Sequence, residues 1–137
     1  MPALRLGYML CCDEELLGKV NLAGQSWSVN SLAQAAGAAA LDDSDFIGRT
    51  VEYISRERRF LTEKFGAMGI KTYPAAANFI LLKSEHDLAD IAMESGIALR
   101  SCENFCGLDG SFFRTAVRSH EDNIELVMAL ERGLLNG

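Results

Sequence analysis

Apolar residues from Phe46 onward fall at Phe46, Ile47, Val51, Ile54, Phe60, Leu61 and Phe65. That is the 3.6-residue period of an amphipathic helix, and it predicts one over residues 45–68. Glu52, Arg56, Glu57, Arg58, Arg59 and Glu63 fill the other faces and read as a solvated surface. After Gly69 the period shortens. GIKTYP and NFILLKS predict two short strands, separated by Pro74 and three alanines. SEHDLADIAMESG predicts a helix opened by Ser84, with Asp87 three residues on, and closed at Gly96. IALRSC and SFFRTAVR predict strands on either side of the loop ENFCGLDG. SHEDNIELVMALERGLL predicts a closing helix capped by Ser119, its apolar stripe formed by Ile124, Val127, Leu130 and Leu134.

Upstream the pattern is less regular. Residues 4–12 are apolar almost throughout and predict a strand. Residues 13–20 predict a short helix, with Asp13 as N-cap and Glu14 and Glu15 in the first turn. NLAGQSWSVN breaks the pattern as a loop. SLAQAAGAAAL, over residues 31–41, predicts a helix whose small residues allow close packing, hence a buried one. Strand, helices, two strands, helix, two strands, helix is the order of an α/β fold, a small mixed sheet packed against helices.

Composition narrows the picture. A chain of 137 residues, 49% hydrophobic, can build a real core. Its net charge of −6 argues against non-specific nucleic-acid binding, which needs a basic face. No apolar run reaches membrane-spanning length, and the first residues lack the pattern of a cleaved leader. Cys11, Cys12, Cys102 and Cys106 match no structural zinc spacing, even with His86 and His120. They read as free thiols in a reducing cytoplasm.

No phosphate loop, dinucleotide fingerprint or nucleophile elbow is present. His86 and His120 each sit in the first turn of a predicted helix and read as surface residues. The arginines carry more information. Arg5 stands at a strand start, Arg100 ends a strand before an irregular loop, and Arg114 and Arg118 lie four apart on one predicted strand. Guanidinium groups on apolar strands are costly unless paired. Two pairings serve: a small anionic ligand, or salt bridges to the surplus acids.

PALRLGYML resembles the segment just after the cofactor-binding lysine of fold-type I pyridoxal-phosphate enzymes, where the wording runs close to Pro-Gly-Leu-Arg-Leu-Gly-Tyr. WSVNSLAQAAGAAAL, ANFILLK and GIALRSCENFCGLDGSFFRTAVRSHEDN follow in that family's order. Nearly the whole chain is similar to the class I/II aminotransferase family, in its histidinol-phosphate aminotransferase branch. The Trp-Ser-Val-Asn stretch and the Asn-Phe-x-Gly-Leu-Asp loop look most like threonine-phosphate decarboxylases of cobalamin biosynthesis. Ala3 and Ser26 depart from the family's usual glycine and proline.

The resemblance implies residues 1–41 as the tail of a large cofactor-binding domain and 42–137 as the C-terminal small domain. It implies pyridoxal 5′-phosphate as cofactor, a phosphorylated amino acid as substrate, and a homodimer. Arg5 matches the residue that holds the cofactor phosphate. Arg114 matches the residue that grips the substrate carboxylate, and Arg100 one that contacts the substrate, assigned to its phosphate. Trp27, Ser28 and Asn30 would lie in a loop near the active sites, and Asn78 on a strand beside them. The cofactor-binding lysine would stand four positions before Met1, and Lys19, Lys64, Lys71 and Lys83 are not in its motif. The expectation is a C-terminal part of a decarboxylase or an aminotransferase that is inactive alone. The other possibilities are a non-catalytic anion-binding or partner module, or half of a split enzyme.

Overall fold

Alternation along two five-residue strands sets the architecture. In Phe79–Lys83, Ile80 and Leu82 are buried, while Phe79 and Lys83 face outward. In Phe112–Ala116, Phe113 and Thr115 are buried. The period of two along a strand puts one set on a core and the other on an open face. The computed structural model describes residues 4–136, and these divide into two compact units at the Gly48–Arg49 junction.

In the first unit, α1 (Glu14–Ala23) and α2 (Ser31–Asp42) are capped as helix chemistry requires. Asp13 Oδ1 accepts from Leu16 N at 3.0 Å, and Asn30 Oδ1 accepts from Ala33 N at 2.8 Å. Glu15 and Lys19 pair one turn apart at 2.6 Å. Two expectations fail here. Residues 4–12 form no strand: Arg5 takes φ +53°, outside the extended region, and no strand of this unit offers a ladder. The helix over residues 31–42 is mostly exposed, with only Ala33 buried. Its close approach is local, at Gly37, where a methyl group would overlap Leu6 Cδ2.

The second unit takes up α3 (Ser44–Ala67) from Arg49 onward, then β1 (Lys71–Thr72), β2 (Phe79–Lys83), α4 (Leu88–Glu94), β3 (Arg100–Ser101), β4 (Phe112–Ala116) and α5 (His120–Asn136). Its sheet runs β1-β2-β4-β3. The expected α/β packing is present, with every pairing antiparallel. The element order predicts a mixed sheet, and in this respect the expectation is corrected. Strands β2 and β3 do run parallel, but β4 slots between them and pairs antiparallel with both.

One core joins the layers: Leu61 and Phe65 of α3, Ile80 and Leu82 of β2, Leu88 and Ala92 of α4, Phe113 of β4, and Leu126, Val127 and Leu130 of α5. Burying an apolar side chain of this size is worth about 1.5–3 kcal/mol. The expected apolar stripes are trimmed at their ends. Phe46, Ile47 and Val51 are exposed, and so is Ile124, whose place on α5 is taken by Leu126 and Ala129. The start of α4 is also corrected. Asp87, not Ser84, caps it, accepting from Ala89 N and Asp90 N, while Ser84 Oγ accepts from His86 N. Ser95 closes that helix, and Gly96 follows in the left-handed region at φ +74°.

Candidate anion-binding site

β4 brings the arginines together. Its register puts Arg114 opposite Leu81 of β2 and opposite Arg100 of β3. Directly opposed strand residues project to the same side, so both guanidiniums rise from the open face. They line a groove of about 630 Å³ with Asn78, Phe79, the Ile97–Leu99 segment, Arg118, Asp122 and Asn123. The groove therefore unites Asn78, Arg100 and Arg114, three of the residues singled out from the sequence.

Neither opposed arginine is neutralised. Among the described residues no carboxylate pairs with Arg100 or Arg114. Arg100 Nη2 donates to Asn104 Oδ1 at 3.2 Å, and its guanidinium lies 5.9 Å from the Phe105 ring centroid. Arg114 lies over Phe79 at 4.9 Å. Aromatic faces orient a cation without consuming its charge or its fork of donors. Of the two pairings open on sequence grounds, intramolecular salt bridges are thus not made by these two. Arg118 behaves differently. β4 ends at Ala116, so Arg118 lies beyond the strand and does not share it with Arg114, and its Nε donates to Asp122 Oδ2 at 2.9 Å. Hydrogen bonds from Arg118 and Ser119 hold the Asp122 carboxyl below the usual range.

The groove floor is tied down through backbone. Val117 N donates to Asn78 O at 2.8 Å, and Arg58 Nη1 donates to Ala77 O at 2.9 Å. The Asn78 side chain makes no hydrogen bond among the described residues, so its amide is available to a ligand. Behind the groove, Asn123 brackets one residue of the chain. Its Oδ1 accepts from Arg118 N at 3.1 Å and its Nδ2 donates to Arg118 O at 3.1 Å. The same Nδ2 reaches Glu57 Oε2 at 3.2 Å, and His120 Nδ1 lies 2.8 Å from that oxygen.

Glu57 corrects the reading of α3 as uniformly solvated on its charged faces. It is 2% exposed. Burial pushes its carboxyl up, but hydrogen bonds from His120, Asn123 and Arg56 outweigh that and hold it below the ordinary range. The signal was in the spacing: Glu57, Leu61 and Phe65 lie four apart, on one stripe of the helix. His120 is half exposed, packs tilted against Phe60 with ring centroids 4.9 Å apart, and bonds inward to Glu57 instead of standing free as a surface residue. His86 is exposed, as expected.

The first unit holds the other sequence candidates. Arg5 and Trp27 are the non-glycine residues with positive φ among those described, at +53° and +63°. Such backbone costs on the order of 1–3 kcal/mol each and gathers at ligand clamps. The Arg5 guanidinium has no hydrogen bond or ion pair among the described residues, and Trp27 is 98% exposed. Ser28 is exposed, and the Oδ1 of Asn30 is taken by its cap. The four cysteines are unpaired, and no described cluster could hold a metal ion. No described helix is long and apolar enough to cross a membrane.

Comparison with known proteins identifies the chain's family. Residues 1–130 match the model of the family described as aminotransferase class I and II. The threonine-phosphate decarboxylase of Salmonella typhimurium is 36% identical over 100% of this chain and 38% of its own length. The histidinol-phosphate aminotransferase of Methanocella arvoryzae is 33% identical over 95% of this chain and 36% of its own. A solved histidinol-phosphate aminotransferase from Clostridium acetobutylicum matches with a TM-score of 0.92 at 30% identity, covering 100% of this chain and 43% of that one. The chain thus spans well under half the length of these relatives.

Proposed function

The chain belongs to the aminotransferase class I and II family, and from that membership we propose that it supplies the substrate-anion groove of a pyridoxal-phosphate enzyme acting on a phosphorylated amino acid. The observation that carries this is the cross-strand pair Arg100 and Arg114, two guanidiniums in one groove without carboxylate partners among the described residues. A phosphorylated amino acid presents two anions, a carboxylate and a phosphate. Arg114 would grip the carboxylate in the bidentate manner its fork allows, and Arg100 the phosphate. Asn78, on the same groove, adds a neutral donor and acceptor. Trp27, Ser28 and Asn30 are proposed as further substrate-binding residues.

Full-length members of the family use pyridoxal phosphate. The residues present suit its phosphate end. Arg5, whose guanidinium has no partner among the described residues and whose backbone is held in the left-handed region, would hold that phosphate. Its carbonyl end has no evident partner: Lys19 pairs with Glu15, and Lys64, Lys71 and Lys83 lie over Phe60, Tyr73 and Phe112. When bound, the cofactor supplies an electron sink for the substrate Cα. This chain's part is orientation. A carboxylate clamped by Arg114 would fix the orientation of the substrate's Cα bonds, and so which of them is presented for cleavage. We favour decarboxylation of threonine phosphate, in a homodimeric enzyme of the reducing cytoplasm. The support is the 36% identity to the Salmonella decarboxylase and the Trp27–Asn30 and Asn104–Asp109 stretches. Transamination of a histidinol-phosphate-like substrate is the alternative, favoured by the solved aminotransferase relative.

Titration of the chain with O-phospho-L-threonine, followed by amide chemical shifts, tests the reading. Saturable shifts at Asn78, Arg100 and Arg114 that vanish in Arg114→Gln are expected. Absence of any such shift would overturn it. Turnover by the 137-residue chain with added cofactor is not expected, since its lysines are placed elsewhere.

A further inference from the structure

The groove holds a third guanidinium that the assignments above leave unused. Arg118 lines it together with Arg100 and Arg114. Its side chain is 69% exposed and rests on Asp122, in the first turn of α5, in an i,i+4 pair at 2.9 Å. Exposed pairs of that kind contribute little and exchange readily for a better anion. Its backbone is the opposite. Asn123 brackets the Arg118 N–H and C=O, Tyr53 Oη donates to the same carbonyl at 3.4 Å, and buried Glu57 holds Asn123 from behind. A buried carboxylate and a buried amide are costly to maintain. Here they fix the one peptide from which a loosely held guanidinium hangs. A pinned base with a mobile arm is the arrangement of a group that moves between two partners.

We infer that Arg118 is a second phosphate-binding residue of the groove, parked on Asp122 when no ligand is present and transferred to the ligand's phosphate on binding. This rests on the reading that the groove takes a phosphorylated amino acid. A phosphate dianion has three terminal oxygens, and Arg100 alone leaves some of them without a charged donor. The Asp122 carboxylate occupies the guanidinium until a more highly charged group displaces it. Arg118 thereby discriminates a phosphorylated ligand from its unphosphorylated parent, because only the former outcompetes Asp122.

The test titrates the chain and two variants with O-phospho-L-threonine and with L-threonine, following chemical shifts so that weak binding registers. In Arg118→Gln the backbone bonds to Asn123 are kept, so the fold is retained, and circular dichroism checks this. The dissociation constant for phosphothreonine should rise about tenfold, the effect of one charge-assisted contact. That for threonine should stay within about twofold. Asp122→Asn, which releases the arm, should tighten phosphothreonine several-fold. Unchanged phosphothreonine affinity in Arg118→Gln, with the wild type binding and Arg114→Gln abolishing it, would overturn this inference and leave the groove reading intact. Failure of the wild type to bind phosphothreonine at all would overturn the groove reading and this inference with it.

Discussion

Arg100 and Arg114 are direct cross-strand partners in the β3–β4 pair, two like charges on one face with aromatic rings beneath them and no carboxylate paired to either among the described residues. Like charges directly opposed in a sheet destabilise it by roughly 0.2–1 kcal/mol. The fold carries that cost at a groove wall. Arg114→Leu should therefore raise the melting temperature, by about 1–4 °C for a chain of this size. The gain should shrink at high salt, where the repulsion is screened, and phosphothreonine binding should disappear. Thermal unfolding at low and high salt, read beside the ligand titration, checks all three. A lower melting temperature would mean the cation–aromatic contact with Phe79 outweighs the repulsion.

Glu57 gives the fold an acid limit. Its carboxyl sits below the ordinary range in the folded chain despite burial, because His120, Asn123 and Arg56 bond to the ionised form. A group depressed in this way contributes stability above its unfolded value, and that stability is lost as pH falls toward the folded value. Asp109 and Asp122 shift in the same direction, each through bonds to nearby donors. Urea unfolding across acidic pH should show wild type well above Glu57→Gln at neutral pH. The two should converge as pH drops through the glutamate range. A difference independent of pH would show that the carboxylate's charge plays no part.

How legible this was in the sequence depends on whether the signal was local. The helices of residues 44–67 and 120–136 were readable from the 3.6 period, and Phe79–Lys83 and Phe112–Ala116 from the period of two, because one face of each meets the core. The arginine pair was half readable. Arg100 and Arg114 stood out as cations on apolar segments, but their opposition depends on register, and register depends on β4 slotting between β2 and β3. Arg118 was misplaced onto the strand because nothing in SFFRTAVR marks where pairing stops. The apolar run of residues 4–12 looked like a strand, yet a strand needs a partner as well as a composition. Glu57 reads as a surface residue by its charge and as a buried one only by its four-residue spacing to Leu61 and Phe65.

Asn30 carries two assignments that substitution can separate. Its Oδ1 caps α2 through Ala33 N, and it is proposed to approach the substrate. Asn30→Ala should cost about 1 kcal/mol of stability through the lost cap. Asn30→Asp keeps an acceptor at the cap, so stability should be retained. The added charge would repel an anionic ligand. Unimpaired phosphothreonine binding in a stable Asn30→Asp chain would restrict Asn30 to the cap.

The packing of α4 on α5 depends on Gly133. A methyl group there would overlap Ile91 Cγ2 and approach Ile91 Cβ at 3.3 Å. Both atoms sit at the branch of a β-branched side chain, which has little freedom to move aside. Alanine in place of glycine within a helix ordinarily gains up to about 1 kcal/mol from propensity. Overpacking costs about 1–3 kcal/mol, so the clash should win and Gly133→Ala should be destabilised. Ile91→Ala alone should also lose stability, by leaving a gap beside Ala92 and Leu88. The combined variant, with the methyl groups of Ile91 removed and one supplied from Gly133, should be more stable than the two separate losses add up to. Urea unfolding of the four chains gives the coupling directly. Strict additivity would show that the helices move apart by a few tenths of an ångström and that the close approach at Gly133 does not set their spacing.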